Sequence, residues 1–117
     1  MVKINKINKG ENVRDENQNG LNFKVGDMLN STWGYGQTNQ SWYKVIKETA
    51  KTVTLQEYHG IRVKVDEMNY MAGTEAPGTE KYRKPFVKVK KEYMRPKPYM
   101  GCLEIWDGEP KFASHWN

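Results

Sequence analysis

Cations are concentrated in one stretch of the sequence. From Lys81 to Lys97 there are eight basic residues and one acid, Glu92, a net +7 within a chain whose total is +5, so the other 100 residues sum to −2. Arg83, Lys84, Lys88, Lys90, Lys91 and Arg95 belong to this run, and Tyr82, Phe86, Tyr93 and Tyr99 are interleaved with it or beside it. Ammonium and guanidinium groups bind phosphates and release counterions, while aromatic rings stack on unpaired bases. The chemistry on offer is therefore recognition of an anion, with nucleic acid as the first candidate. The candidate contacts are Arg83, Lys84, Phe86, Lys88, Lys90, Lys91 and Arg95. The plainer reading is a solvated edge strand, since Lys also blunts sheet edges against unwanted pairing. Alternation within Pro85–Lys90 predicts Phe86, Lys88 and Lys90 on an outer face and Val87 and Val89 on the inner one.

A second cluster surrounds a glycine-rich turn. Trp33, Tyr35, Gln37, Thr38, Asn39 and Trp42 occupy ten residues, with Gly34 and Gly36 between the rings. Exposed rings beside amide side chains make a protein-recognition surface, because Trp and Tyr dominate interface hot spots. On that reading Trp33, Tyr35, Gln37, Asn39 and Trp42 would contact a partner protein. The same residues also suit a structural role, with the amides satisfying backbone groups of a long turn and the rings closing one end of a sheet. The structural role is the favoured one, and it predicts that Gln37 and Asn39 hydrogen-bond backbone groups within the Trp33–Trp42 loop.

The remaining reactive side chains do not form a pattern. His59 and His115 have no second His or Cys at ligand spacing, so no metal is expected. Cys102 is the single cysteine, which excludes an internal disulfide and suggests a buried structural thiol. Asp27, Glu57, Asp66, Glu67 and Asp107 are scattered, whereas metal-assisted hydrolysis needs two or three carboxylates on one cation. Gly34-Tyr35-Gly36 lacks the third glycine and the following helix of a dinucleotide-binding turn. Neither a cofactor nor an enzymatic activity is expected.

These clusters must be carried by short strands. Met28–Trp33 and Ser41–Ile46 read as the arms of a hairpin joined by Gly34–Gln40. Thr52–Tyr58 and Ile61–Val65 alternate apolar and polar residues, and His59-Gly60 between them reads as a turn. Asp66–Met71 could form one helical turn, and Ala72–Glu80 is loop by composition. Pro85–Lys90 and Met100–Trp106 supply further strands, and Asp107-Gly108-Glu109-Pro110 a turn. Five or six such strands predict a mainly β domain, either a small SH3-like barrel or a strongly bent five- to six-stranded antiparallel sheet. Residues 1–20 read as a poorly ordered leader and residues 21–117 as a single β domain. The expected shared inner face holds Leu29, Tyr43, Val45, Val53, Leu55, Ile61, Val63, Val65, Val87, Val89, Leu103 and Ile105.

The composition agrees with one modest core. The chain has 117 residues, of which 37% are apolar, and seven Tyr and four Trp supply much of the area to be buried. No apolar run is long enough to span a bilayer, and the first twenty residues lack the apolar segment of a signal peptide. A cytoplasmic protein without a membrane partner is expected.

Trp33-Gly34-Tyr35-Gly36-Gln37-Thr38-Asn39, followed by Trp42-Tyr43-Lys44-Val45 and by the late Trp106-Asp107-Gly108-Glu109-Pro110, resembles a small domain common in bacteriophages and other bacterial mobile elements. Its pattern is W-G-Y-x-Q-T-N with a later W-D-G-x-P. The resemblance spans roughly Phe23 to Phe112. Gly36 stands where members often carry Asp, and neither Asp66–Tyr82 nor the basic strand aligns. No activity is assigned to that domain, so the resemblance implies a phage or mobile-element origin and supplies no catalytic residues. Beside a third class, a small nuclease or hydrolase, two binding functions stay open. One is an accessory protein that binds nucleic acid through its basic strand. The other is an interaction module that docks on, or inhibits, a host protein such as a defence factor through the aromatic turn.

Overall fold

A computed structural model describes residues 16–65 and 72–114. These residues are mainly β. Seven strands are present: β1 Met28–Trp33, β2 Asn39–Glu48, β3 Thr52–Val65, β4 Ala72–Lys81, β5 Phe86–Val89, β6 Glu104–Ile105 and β7 Lys111–Ser114. Six of them form a curled antiparallel half-barrel in the order β6-β1-β2-β3-β4-β7, and β5 pairs with β3 off that path. Among the described residues no helix is long and apolar enough to cross a membrane.

The expected first hairpin forms, with Met28 opposite Lys44 and Trp33 opposite Asn39, so its return arm begins two residues before the expected Ser41 and the connection is shorter. Two-residue periodicity then sorts the side chains. Leu29, Tyr43, Val45, Val53 and Leu55 face inward, where Phe23, Met94, Met100 and Leu103 cover them. The last three come from an irregular segment that crosses the concave face. It is tied down by the Leu103 amide donating to the Met94 carbonyl at 2.6 Å and by Ser31 Oγ donating to the Gly101 carbonyl at 2.8 Å.

The opposite face holds a smaller cluster. Trp42 is fully buried there and meets Trp106 edge-on, with ring centroids 5.6 Å apart. Trp106 is seated by the turn after it: its Nε1 donates to the Glu109 carbonyl at 2.7 Å, and the Asp107 carboxylate accepts from the Glu109 amide at 2.9 Å. The early and late motifs of the sequence therefore meet as one packing unit.

Several expectations need correction. His59-Gly60 is not a turn, because β3 runs straight through it for 14 residues. A Cβ on Gly60 would lie 2.8 Å from both Trp42 Nε1 and Glu75 Oε1, so this glycine marks a close approach within a strand. Ala72–Lys81 is strand β4, not loop. It pairs with the outer half of β3, and a side chain on Gly73 would collide with the Lys64 carbonyl. Pairing between backbones has overridden a composition rich in Gly and Thr with one Pro. Ile61 and Val63 are exposed, although β4 and, beyond it, β7 continue the sheet here, because these two residues lie outside the core cluster.

Val87 and Val89 are also exposed, at 64% and 60%, while Phe86 packs against the core. The predicted faces of β5 are thus inverted. Its register sets Leu55 opposite Phe86 and Val53 opposite Lys88, so the larger ring takes the inner side. Ile105 is half-buried, Cys102 is half-exposed rather than buried, and the side chain of Val65 lies outside the described set. In the expected leader, residues 1–15 lie outside the described residues. Residues Glu16–Gln18 and Gly20–Asn22 form short 3-10 turns, and the Gly20 amide donates to the Glu92 carbonyl at 3.1 Å. The helical turn expected over 66–71 falls outside the described residues.

Candidate functional site

The inner parity of β3 runs on past the core. Val53 and Leu55 are buried, and the next two residues of that parity are Glu57 and His59. Here the strand also changes partners on one edge. β5 pairs with residues 52–55 and β4 with residues 58–65, so the chain between the two partners, Tyr82–Pro85, passes beside Glu57 without a regular ladder. The gap is a cleft of about 280 Å³, walled by Trp33, Tyr99, Tyr82 and His59 and rimmed by Arg83 and Lys97. A second hollow of about 230 Å³ adjoins it, sharing Tyr43, Glu57, Arg83 and Lys97 and adding Lys84 and Phe86.

The wall residues are held firmly. Trp33 donates its Nε1 proton to Ser41 Oγ at 2.8 Å and meets Tyr99 edge-on at 5.5 Å. His59 stacks on Tyr82 with centroids 4.2 Å apart. Tyr43 and Phe86 are perpendicular at 5.9 Å. Burial, followed by the nearby Glu57 charge, pushes the Tyr43 hydroxyl well above the usual phenol range, so it stays protonated.

Arg83 is held in an unusual backbone conformation. It is the one non-glycine residue with positive φ among those described, at 68°. Two bonds fix the loop. The Tyr82 amide donates to the Glu57 carbonyl at 2.9 Å, and Gln56, a buried amide, donates Nε2 to the Arg83 carbonyl at 3.0 Å. The Arg83 guanidinium lies over the Tyr82 ring at 4.4 Å and donates Nη2 to the Tyr82 hydroxyl at 2.9 Å. Its Nη1 is 3.8 Å from Glu57 Oε1. Strain of this kind persists where the surroundings over-determine it, and such positions gather at functional sites.

Glu57 is the acid of this site. Its side chain is 13% exposed, and burial holds its carboxyl above the ordinary carboxylate range despite the attraction of Arg83, Lys97 and His59. A desolvated ionisable group in a cleft is a physical signature of function.

The basic stretch divides across the surface. Arg83 and Lys84 are exposed at the cleft and its annex. Lys88, Lys91 and Arg95 line a separate groove of about 270 Å³ with Tyr93 and Pro98. Arg95 also donates to the Met100 carbonyl at 3.0 Å. Lys90 turns inward, 9% exposed, and pairs with Glu48 at 3.0 Å, and Phe86 serves the core. The expected outer face of Phe86, Lys88 and Lys90 therefore does not exist as one surface.

The turn cluster also divides. Gln37 Nε2 donates to Asn39 Oδ1 at 3.2 Å, inside the loop. Trp42 is buried and presents nothing to a partner, which corrects its place among the contacts. Tyr35 stands fully exposed at the tip, and Trp33 belongs to the cleft wall.

Sequence reasoning passed over Glu57, Lys97, Tyr99 and His59 as members of one site. The parity of Glu57 and His59 with Val53 and Leu55 was the available signal. Among the described residues, no group of three or more His, Cys, Asp or Glu could hold a metal ion. No protein-family model, curated protein or solved structure matches the chain.

Proposed function

We propose that this chain is an accessory protein of a bacteriophage or related mobile element that acts in the host cytoplasm and binds single-stranded nucleic acid. The observation that carries this reading is the cleft: four rings on its walls, two cations on its rim and a volume near the lower end for small-molecule sites. Unpaired bases stack on rings while the backbone follows cations. A concave slot of this size suits a splayed-out base and not a duplex. The 95–98 segment borders both the cleft annex and the groove of Lys88 and Lys91, so one strand could run along both.

A salt series of binding to single- and double-stranded DNA and RNA tests this. Single strands should bind more tightly. Arg83→Ala and Lys97→Ala should each flatten the log–log salt slope by about 0.7 per lost phosphate contact. Lys90→Ala should leave the slope unchanged, because Lys90 is already paired with Glu48. Tyr99→Ala should cost about 1–3 kcal/mol with the slope retained, since stacking is not screened by salt. Absence of binding to any nucleic acid at low salt would overturn the proposal. The full exposure of Tyr35 at the turn tip would then favour docking on a host protein, such as a defence factor.

A further inference from the structure

An acid at the floor of a phosphate-binding cleft is electrostatically counterproductive, so Glu57 needs another explanation. Among the described residues it is the sole carboxylate lining the cleft or its annex. Pairing with Arg83 does not account for it. The separation of 3.8 Å from Nη1 is that of an ion pair without a hydrogen bond, and the hydrogen bond the guanidinium does make goes from Nη2 to the Tyr82 hydroxyl. Among those residues no hydrogen bond is donated to the carboxylate, and its oxygens are not sealed from solvent: the side chain is 13% exposed, and Trp42 Nε1, not Glu57, is the buried atom left without a partner. Its acceptor oxygens are available to a ligand.

The surroundings restrict what that ligand is. A cation is disfavoured by Arg83 and Lys97 on the rim. A flat ring is favoured by Trp33 and Tyr99, since the Tyr82 ring is already covered by His59 and Arg83. An ionised carboxylate only accepts, so the edge presented to it must carry two adjacent donors. Guanine has such an edge in N1–H and its 2-amino group. Adenine and cytosine each place a bare ring nitrogen at the centre of that edge, and uracil and thymine flank their single N–H with carbonyls. Each of these would set a lone pair against the carboxylate.

We infer that Glu57 reads the Watson–Crick edge of an unpaired guanine held between the cleft rings, with Arg83 and Lys97 placed for its phosphates. This rests on the nucleic-acid reading above and makes it base-specific. The guanine could come from a strand or from a free nucleotide.

The experiment uses oligothymidylates about nine nucleotides long, within the site sizes usual for such grooves, carrying a single central G, A, C or T. Guanosine monophosphate is measured alongside, with Trp fluorescence as the readout. The guanine-centred strand should bind at least about tenfold more tightly than the other three, the discrimination usual for a good bidentate pair. Glu57→Gln should erase that preference, and the all-thymine strand should bind more tightly than to wild type because a negative charge leaves the phosphate-binding cleft. Because wild-type discrimination is read without any variant, the test does not depend on how well Glu57→Gln folds. Equal affinity for all four strands overturns the guanine inference and leaves single-strand binding standing. If guanosine monophosphate alone binds as tightly as the guanine-centred strand, the inference stands for a free nucleotide and the strand reading falls. If neither strands nor nucleotide bind, both are overturned.

Discussion

Removing the amide of Gln56 should unfasten the Arg83 loop without touching the cleft surface. Gln56 is 4% exposed, and its Nε2 donates to the Glu57 carbonyl at 2.9 Å and to the Arg83 carbonyl at 3.0 Å. Gln56→Met keeps the length of the side chain and deletes both donors. The two losses are unequal. The Glu57 carbonyl keeps the Tyr82 amide as a partner at 2.9 Å, so losing its second bond should cost about 1 kcal/mol. The Arg83 carbonyl has no other hydrogen bond among the described residues, so its loss should cost about 1–3 kcal/mol. Together they predict a destabilisation of about 2–4 kcal/mol, which for a domain of this size lowers Tm by roughly 6–24 °C. Thermal unfolding followed by near-ultraviolet circular dichroism measures it. Affinity for single strands should fall as well, although Gln56 does not line the cleft, because Arg83 loses its enforced backbone. A Tm within about 3 °C of wild type would refute the argument that this amide holds the strained residue in place.

Three further outcomes are expected. Phe86→Ala should destabilise the fold by about 2 kcal/mol in urea titration, below the full cost of a buried Phe because the ring is half-buried at the core edge. Gly34→Ala should cost more stability than Gly36→Ala: both have positive φ, at 135° and 76°, but only at Gly34 would the new methyl press on the Gln37 carbonyl and on Asn39 Nδ2. Glu57→Gln should alter the pH profile. The raised Glu57 pKa means the folded protein retains a proton that the unfolded chain has released, so this group's contribution falls as pH rises from the ordinary Glu pKa through the raised value. The Gln variant lacks that loss and should gain on wild type across the same window, with Arg83, Lys97, His59 and Tyr43 facing the site in both. Glu48 and Asp107, both lowered by hydrogen bonds and lysine partners, act with the opposite sign and cancel in the comparison. Denaturant midpoints measured across the acid range check it.

Strand parity explains which parts of the site were legible. Leu29, Tyr43, Val45, Val53, Leu55 and Leu103 are buried as alternation predicts, because a half-buried sheet forces apolar residues onto one face. The rule failed where either face was acceptable. In β5 a ring at Phe86 competes with Val87 and Val89 for the inner side, and the ring wins because Tyr43 and Leu55 leave room for it. In the outer part of β3, alternation continues but Ile61 and Val63 stay exposed, outside the core cluster.

The sequence by itself determined the mainly β class, the first hairpin, the position of the core and the density of cations between Lys81 and Lys97. Each follows from short-range rules of periodicity, turn chemistry and charge. Only the tertiary structure decided that Lys90 is spent on Glu48, that Trp42 is buried on Trp106, and that Glu57, Arg83, Lys97 and Tyr99 surround one cleft. Those facts depend on where β3 exchanges β4 for β5 and on how the 91–103 segment crosses the sheet. They are contacts between residues tens of positions apart, which no local pattern specifies.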